Sequence, residues 1–133
     1  MTEQDISDAL GQALVYGMPL YTVVLENRDS VPAKPYIAAE IVRVSTTDDT
    51  LRGGFKISRG YMQATVVIEA GNLANEALHI ADHIAEAFPY GTRTNIPDGT
   101  ILITKPPAIA QGFRDGPDWR LPVRIDYEAE ETP

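Results

Sequence analysis

The 133-residue sequence contains no cysteine, so disulfides and thiolate metal sites are excluded and a reducing compartment is permitted. It has no apolar run long enough to span a bilayer. Its first residues also lack the basic start and apolar core of a secretory signal. These absences predict a protein that is kept in a cytoplasm and has no membrane partner.

Basic residues are scarce, with 11 Lys and Arg against 19 Asp and Glu and a net charge of −8. Because neutralising phosphates requires clustered Lys and Arg, this composition argues against nucleic-acid binding across the whole surface. A basic partner surface, or solubility alone, agrees better with the charge. The length favours one domain with a self-supporting core.

Two segments have helical periodicity. Residues 2–16 begin with an approximate capping box formed by Thr2 and Asp5. Residues 72–91 are the clearer helix, with Asn72 as its N-cap and Pro89 ending it. Its apolar stripe consists of Leu73, Ala77, Ile80, Ala81, Ile84 and Phe88.

Strands are predicted where β-branched and aromatic residues cluster or alternate with polar ones, at residues 20–25, 36–44, 60–70, 93–96, 100–104 and 118–127. Pro97, Asp98 and Gly99 form a tight-turn signal that makes a hairpin of the fourth and fifth strands. Pro122 favours an edge strand, or a bulge, for the last one. The order α-β-β-β-α-β-β-β predicts an α+β fold, with a mostly antiparallel sheet and two helices packed on one face.

Residues 45–58 form the longest irregular segment, which begins acidic and becomes basic. One interpretation is a flexible hairpin loop, and the other is a loop that contacts a partner or lines a channel. Its glycine pair lacks the spacing and the hydroxyl group of a phosphate-binding loop. The candidate interaction residues are Arg52, Gly53, Gly54 and Lys56 of this segment, together with Arg59 directly after it.

His79 and His83 lie four residues apart on the second helix, so their rings share one face and are weak candidates for metal ligands. That face points away from the apolar stripe, which favours a solvated surface.

Arg120 and Arg124 share the outward face of the last strand. They are either solvated or part of a strand edge that contacts an acidic neighbouring subunit. No glycine-framed nucleophile is present, so neither catalytic residues nor a cofactor are predicted.

Three motifs in the second half resemble those of a family of small phage proteins, the tail terminators. Residues 88–92 (FPYGT) are similar to the family's helix end, and residues 103–107 (ITKPP) to a strand that closes in a proline pair. Residues 119–129 (WRLPVRIDYEA) are similar to its final strand. The firm part of the resemblance covers residues 72–129, and the 45–58 segment matches nothing in it.

The resemblance implies a non-enzymatic virion protein. Its function would be to form a homohexameric ring that caps the tail tube, stops tube polymerisation and provides the surface for head–tail joining. Its partners would be its own copies, the tail-tube protein and the head–tail connector or stopper protein, with DNA only passing through the lumen. It would lie at the tail–neck junction of the virion, and in the host cytoplasm during assembly. Residues 1–127 would form a single tail-terminator-like domain, followed by an acidic, flexible tail at 128–133.

Two alternatives stay open from the sequence. One is another neck or tail component of the same fold, either a head–tail joining protein or a tube subunit. The other is a zinc-dependent hydrolase that uses His79 and His83. Mixing with tail-tube protein distinguishes a tail terminator from the first alternative. Metal analysis of the purified protein distinguishes it from the second.

Overall fold

A computed structural model describes residues 1–25, 32–49, 55–71 and 74–132. It confirms the predicted α+β class and the two-helix order. Neither helix in the described ranges has the length and apolar character needed to cross a bilayer. The elements are α1 (Glu3–Gly17), β1 (Thr22–Val24), β2 (Tyr36–Asp49), β3 (Phe55–Glu69), α2 (Ala74–Ala87), β4 (Arg93–Ile96), β5 (Gly99–Ile103), β6 (Ala108–Ile109), β7 (Phe113–Asp115) and β8 (Asp118–Glu131).

Helix α1 begins at the predicted capping box. The backbone N–H of Asp5 donates to the Thr2 hydroxyl at 3.1 Å, and the N–H of Thr2 donates to the Asp5 carboxylate at 3.1 Å. The helix ends where the N–H of Met18 donates to the Leu14 carbonyl at 3.0 Å. Reciprocal capping satisfies two donors that the first turn would otherwise leave unpaired.

Helix α2 packs the predicted apolar stripe onto the sheet. Its described members are at most 3% exposed: Ala77, Ile80, Ala81, Ile84 and Phe88. Asn72 and Leu73, the predicted cap and first stripe residue, lie outside the described residues. Gly91 has φ +87, a left-handed conformation that suits glycine, and turns the chain into β4.

The main sheet has the strand order β1-β2-β3-β8-β5-β4, and β6 and β7 also pair with β8. Every described pairing is antiparallel except β1 with β2. The helices cover one face, which carries the buried side chains of Ile37, Met62, Ala64, Val66, Val123 and Ile125. We call the opposite side the open face.

The prediction of an irregular segment at residues 45–58 is wrong for both of its ends, because β2 continues to Asp49 and β3 begins at Phe55. Pairing resumes beyond a register shift between Arg43 and Ser45. Polar side chains are accommodated there by hydrogen bonding, since the buried Ser58 hydroxyl donates to the Glu3 carboxylate at 3.1 Å. Residues 50–54 lie outside the described ranges.

The predicted flexible tail is also wrong for residues 128–131, which belong to β8. Glu128 and Glu130 pair in register with both β3 and β5. The alternation of the strand simply continues: Ala129 is fully buried, and the Glu128 carboxylate accepts a hydrogen bond from Arg59 at 3.1 Å. An acidic sequence at a chain end is therefore compatible with a strand when its outward residues have partners.

Pro122 does not mark an edge strand, because β8 lies between β3 and the strands β5, β6 and β7. Its carbonyl accepts from the Ala110 N–H at 2.9 Å, so its nitrogen also faces the β6–β7 side. There the ladder is interrupted between β6 and β7, which pair with β8 on either side of this residue. The missing N–H of proline thus falls at a gap in the pairing.

Candidate interaction surfaces

The basic residues predicted as an interaction loop do not all lie in a loop. Lys56 and Arg59 are on β3, and the Arg59 guanidinium is already paired with Glu128 at 3.1 Å. Arg52, Gly53 and Gly54 lie outside the described residues. The β2–β3 hairpin therefore holds Lys56 and Arg59 on a strand, and its contact with a partner or a channel stays a prediction.

Arg120 and Arg124 lie on the open face, as their alternation predicted, but on an interior strand. Arg120 Nε lies 3.0 Å from an Asp115 carboxylate oxygen, and Arg124 donates to Asp126 at 3.1 Å. The Arg124 guanidinium carbon also lies 3.9 Å from the centre of the Tyr61 ring. The idea of a paired edge is wrong for β8, whereas a subunit contact through these side chains stays a prediction.

His79 and His83 are exposed on α2, with ring centres 4.7 Å apart and planes at 82°. Within the described ranges, no group of three or more His, Cys, Asp and Glu side chains could hold a metal ion. Two imidazoles alone do not complete the four-coordinate shell typical of zinc. This geometry agrees with the solvated face that the sequence favoured.

A partly buried polar cluster lies where α1 meets the β2–β3 hairpin. Glu3 contacts Arg43 at 3.2 Å and Ser58 at 3.1 Å, so it joins the helix to both strands of the hairpin. Beside it, the Tyr127 hydroxyl is buried and has no hydrogen-bond partner among the described residues. Burial, and secondarily the negative charge of Glu3, raises the pKa of Tyr127 to about 12, although Arg43 opposes the shift.

This raised pKa predicts a loss of stability at alkaline pH. In the unfolded chain the phenol ionises near its ordinary value of 10, whereas the native Tyr127 keeps its proton to about pH 12. The native state thus binds more protons in this window, so the contribution is complete below about pH 10 and is lost as the pH rises towards 12. Two pKa units correspond to about 2–3 kcal/mol.

In the Tyr127→Phe variant the free energy of unfolding is expected to fall less steeply with pH over this range, because the ionising group is absent. Urea unfolding at a series of pH values measures it. Tyr90→Phe, at an exposed tyrosine, is the matched control and should keep the wild-type slope. Equal slopes for the wild type and Tyr127→Phe would contradict the assignment of the decline to this residue.

An exposed apolar patch surrounds the C-terminal half of α1 and the segment that follows it. Tyr16 is 90% exposed and Leu20 is 89% exposed, and Val15 and Leu25 are also exposed. A shallow, mainly apolar concavity of about 450 Å³ opens here between Gly11, Val15, Tyr16 and Leu25, and Asp8 and Gln12 also line it. We name these residues, Gly11, Val15, Tyr16, Leu20 and Leu25, the α1 patch. Helical periodicity does not show what covers a helix end, so this patch is not predictable from the sequence.

A second concavity, of about 680 Å³, lies on the open face. We name it the open-face groove. Ala38, Thr65 and Pro122 contribute to its lining, as do the side chains of Phe113 and Glu40. Leu25 lines this groove as well as the α1 patch, so the two concavities meet at the β1 edge of the sheet.

These features define a class of protein before any family is considered. In the described part of the chain Arg120 and Arg124 form ion pairs with neighbouring carboxylates, and no group of three or more His, Cys, Asp and Glu side chains could hold a metal ion. The prominent surfaces are the apolar α1 patch and the more polar open-face groove, both beside the β1 edge, and exposed patches and strand edges are means of binding other polypeptides. Such surfaces suit a protein that binds other polypeptides.

The comparisons with known proteins identify the family. A family model described as phage tail terminator protein matches residues 5–127, nearly the whole chain. The chain belongs to the phage tail terminator family, and the resemblance noted in the sequence is confirmed. The family is structural and non-enzymatic, so the protein is a component of the virion tail, and a zinc hydrolase is excluded.

Solved structures support the fold. Thirteen solved chains are similar to this one. One of them superposes with a TM-score of 0.82 at 21% identity, covering 100% of this chain and 99% of that chain. At this identity the likeness shows the shared architecture alone. No curated protein matches the sequence.

Proposed function

We propose that this chain forms a closed ring on the end of the tail tube, where it stops tube polymerisation and presents the surface that joins the head. The tail-tube protein and a head–tail connector or stopper protein are its partners, and DNA passes through the ring. Family membership supports the tail role. The observation that carries the ring is the pair of unlike edges, β1 and β4, at the two ends of one sheet.

Two unlike edges favour a head-to-tail contact. If an edge bound only its own equivalent, the result would be a two-fold dimer, whereas contact between different edges repeats around an axis. A repeated contact closes into a ring when its rotation divides a full turn. A hexamer, the state that the family resemblance implies, is one such closure.

The charge of the chain agrees with a conduit for DNA. The net charge is −8, and the described arginines of the open face are largely neutralised by neighbouring carboxylates. Phosphates are held by clustered cations that are free to bind them. A ring of such subunits therefore lets DNA pass without retaining it.

Adding the purified chain to polymerising tail-tube protein tests the proposal. A terminator is expected to stop tube growth at a small ratio of chain to tube protein, because only tube ends bind it. A fixed number of copies per tube, independent of tube length, supports the capping role. Incorporation in proportion to tube length identifies a tube subunit instead and overturns the proposal.

A further inference from the structure

The outer edge of β1 has features that suit the addition of another strand. In the described part of the sheet β1 pairs only with β2, so the backbone groups on its other side have no strand partner. The α1 patch borders this edge on the helix side, and the open-face groove borders it on the other side. An added strand sends alternate side chains to the two faces, and each face here offers a concavity.

Strand β4, at the opposite edge of the same sheet, has the features of a strand that could add to β1. Strand β4 pairs only with β5 among the described strands, and Tyr90, which is 67% exposed, precedes it by three residues. An exposed aromatic ring at one edge and an apolar concavity at the other are complementary features of one surface. Aromatic residues that enter apolar pockets are typical anchors of protein interfaces.

Charge supports the same pairing. Thr94 lines a small cavity with Ala9 and Ala13 on the helix side, so its neighbour Arg93 points to the open face. Glu40 lies on the open face and lines the groove. Arg93 and Glu40 are both exposed, and neither forms an ion pair or side-chain hydrogen bond within the described ranges.

We infer that β4 of one copy adds to β1 of the next copy, with Tyr90 seated in the α1 patch and Arg93 directed towards Glu40. A next copy whose helix-covered face lies on the same side adds its β4 parallel to β1, because β1 and β4 run in the same direction within one sheet. Arg93 of the added strand then lies on the open face, where Glu40 lies. The inference rests on the proposed ring and names the contact that closes it.

Cross-linking tests the contact directly, because the chain has no cysteine of its own. Two full-length variants, Thr22→Cys on β1 and Asn95→Cys on β4, are mixed on tail tubes and treated with a short bismaleimide. The pair is expected to give a covalent dimer well above the yield of a control pair, Thr22→Cys with Val44→Cys. Val44 is exposed but lies at the bulge of β2, away from both edges.

Charge reversal gives an independent readout. Arg93→Glu and Glu40→Lys are each expected to weaken self-association about tenfold, which is the effect of losing one interfacial charge pair. The double variant, in which the two charges are exchanged, should regain most of the lost affinity. The control combines Arg93→Glu with Glu86→Lys, since Glu86 is an exposed glutamate on α2. This control should not regain the affinity that Arg93→Glu loses. Tyr90→Ala should weaken association by about tenfold or more, whereas Leu78→Ala should not.

The outcomes separate the two proposals. Edge-specific cross-links together with recovery in the double variant support the inference. If the chain caps tubes but the edge pair cross-links no better than its control, the inference is overturned and the ring is formed by another contact. If the chain neither self-associates nor binds tube ends, the inference and the proposed function both fail.

Discussion

Replacing Phe88 with alanine is expected to lower the free energy of unfolding by about 3–5 kcal/mol, which is enough to unfold a marginal domain. Phe88 is 3% exposed and belongs to the core cluster that α2 forms with the sheet. Removing its ring takes away buried apolar surface and leaves a cavity that the paired strands can fill only in part. The same residue begins the FPYGT motif that led to the family.

Urea or thermal unfolding of the purified variant measures this loss. Leu78→Ala on α2, the helix that Phe88 directly follows, is the matched control, because that side chain is half-exposed, and it should change stability by about 1 kcal/mol at most. A Phe88→Ala variant as stable as Leu78→Ala would show that α2 does not pack on the sheet as described.

Gly60→Ala should be the second severe change. An alanine normally stabilises a strand relative to glycine by roughly 0.5–1 kcal/mol. Here a Cβ atom at position 60 would lie 2.4 Å from the Val42 carbonyl oxygen and 2.9 Å from the Tyr127 hydroxyl. Because the first of these is a backbone atom beside the bulge, the hairpin must shift, and we expect a loss of about 3 kcal/mol or more.

The two clashes can be separated by a double-mutant cycle. Adding Tyr127→Phe removes the hydroxyl but not the Val42 carbonyl, so it should recover only part of the loss caused by Gly60→Ala. Gln63→Ala, on the same strand but facing the open side, is the control and should be nearly neutral. Full recovery in the double variant would show that the carbonyl clash is unimportant.

Local chemistry made much of this fold predictable. The capping box of Thr2 and Asp5, the turn at residues 97–99 and the stripe of α2 each depend on residues close in sequence. Such signals act within one or two turns of chain, where side-chain geometry decides the structure almost alone. The positions of the two helices and of the β4–β5 hairpin are therefore predictable from the sequence.

The sequence prediction is wrong where residues distant in the chain decide the structure. Residues 128–131 are a strand because Arg59 and the β5 residues lie beside them, and no local pattern shows that. The same holds for residues 45–49, which are held by pairing with β3, and for Pro122, which is tolerated because the ladder has a gap there. Acidic runs and prolines indicate chain ends and edges only when no such partner is available.

The interaction surfaces were the least predictable feature. Tyr16, Leu20 and Tyr90 look in sequence like ordinary apolar residues at the ends of elements. Their exposure depends on how α1 and the α2–β4 connection sit on the sheet. The arginines that drew attention in the sequence, Arg59, Arg120 and Arg124, are instead engaged with carboxylates of their own chain.

Electron microscopy of preformed tail tubes incubated with labelled chain tests the central claim most directly. If the chain is the terminator, the label is found at one end of each tube, in the same number of copies on short and long tubes. Label spread along the tube wall, or tubes that bind no label at any chain concentration, would contradict the account.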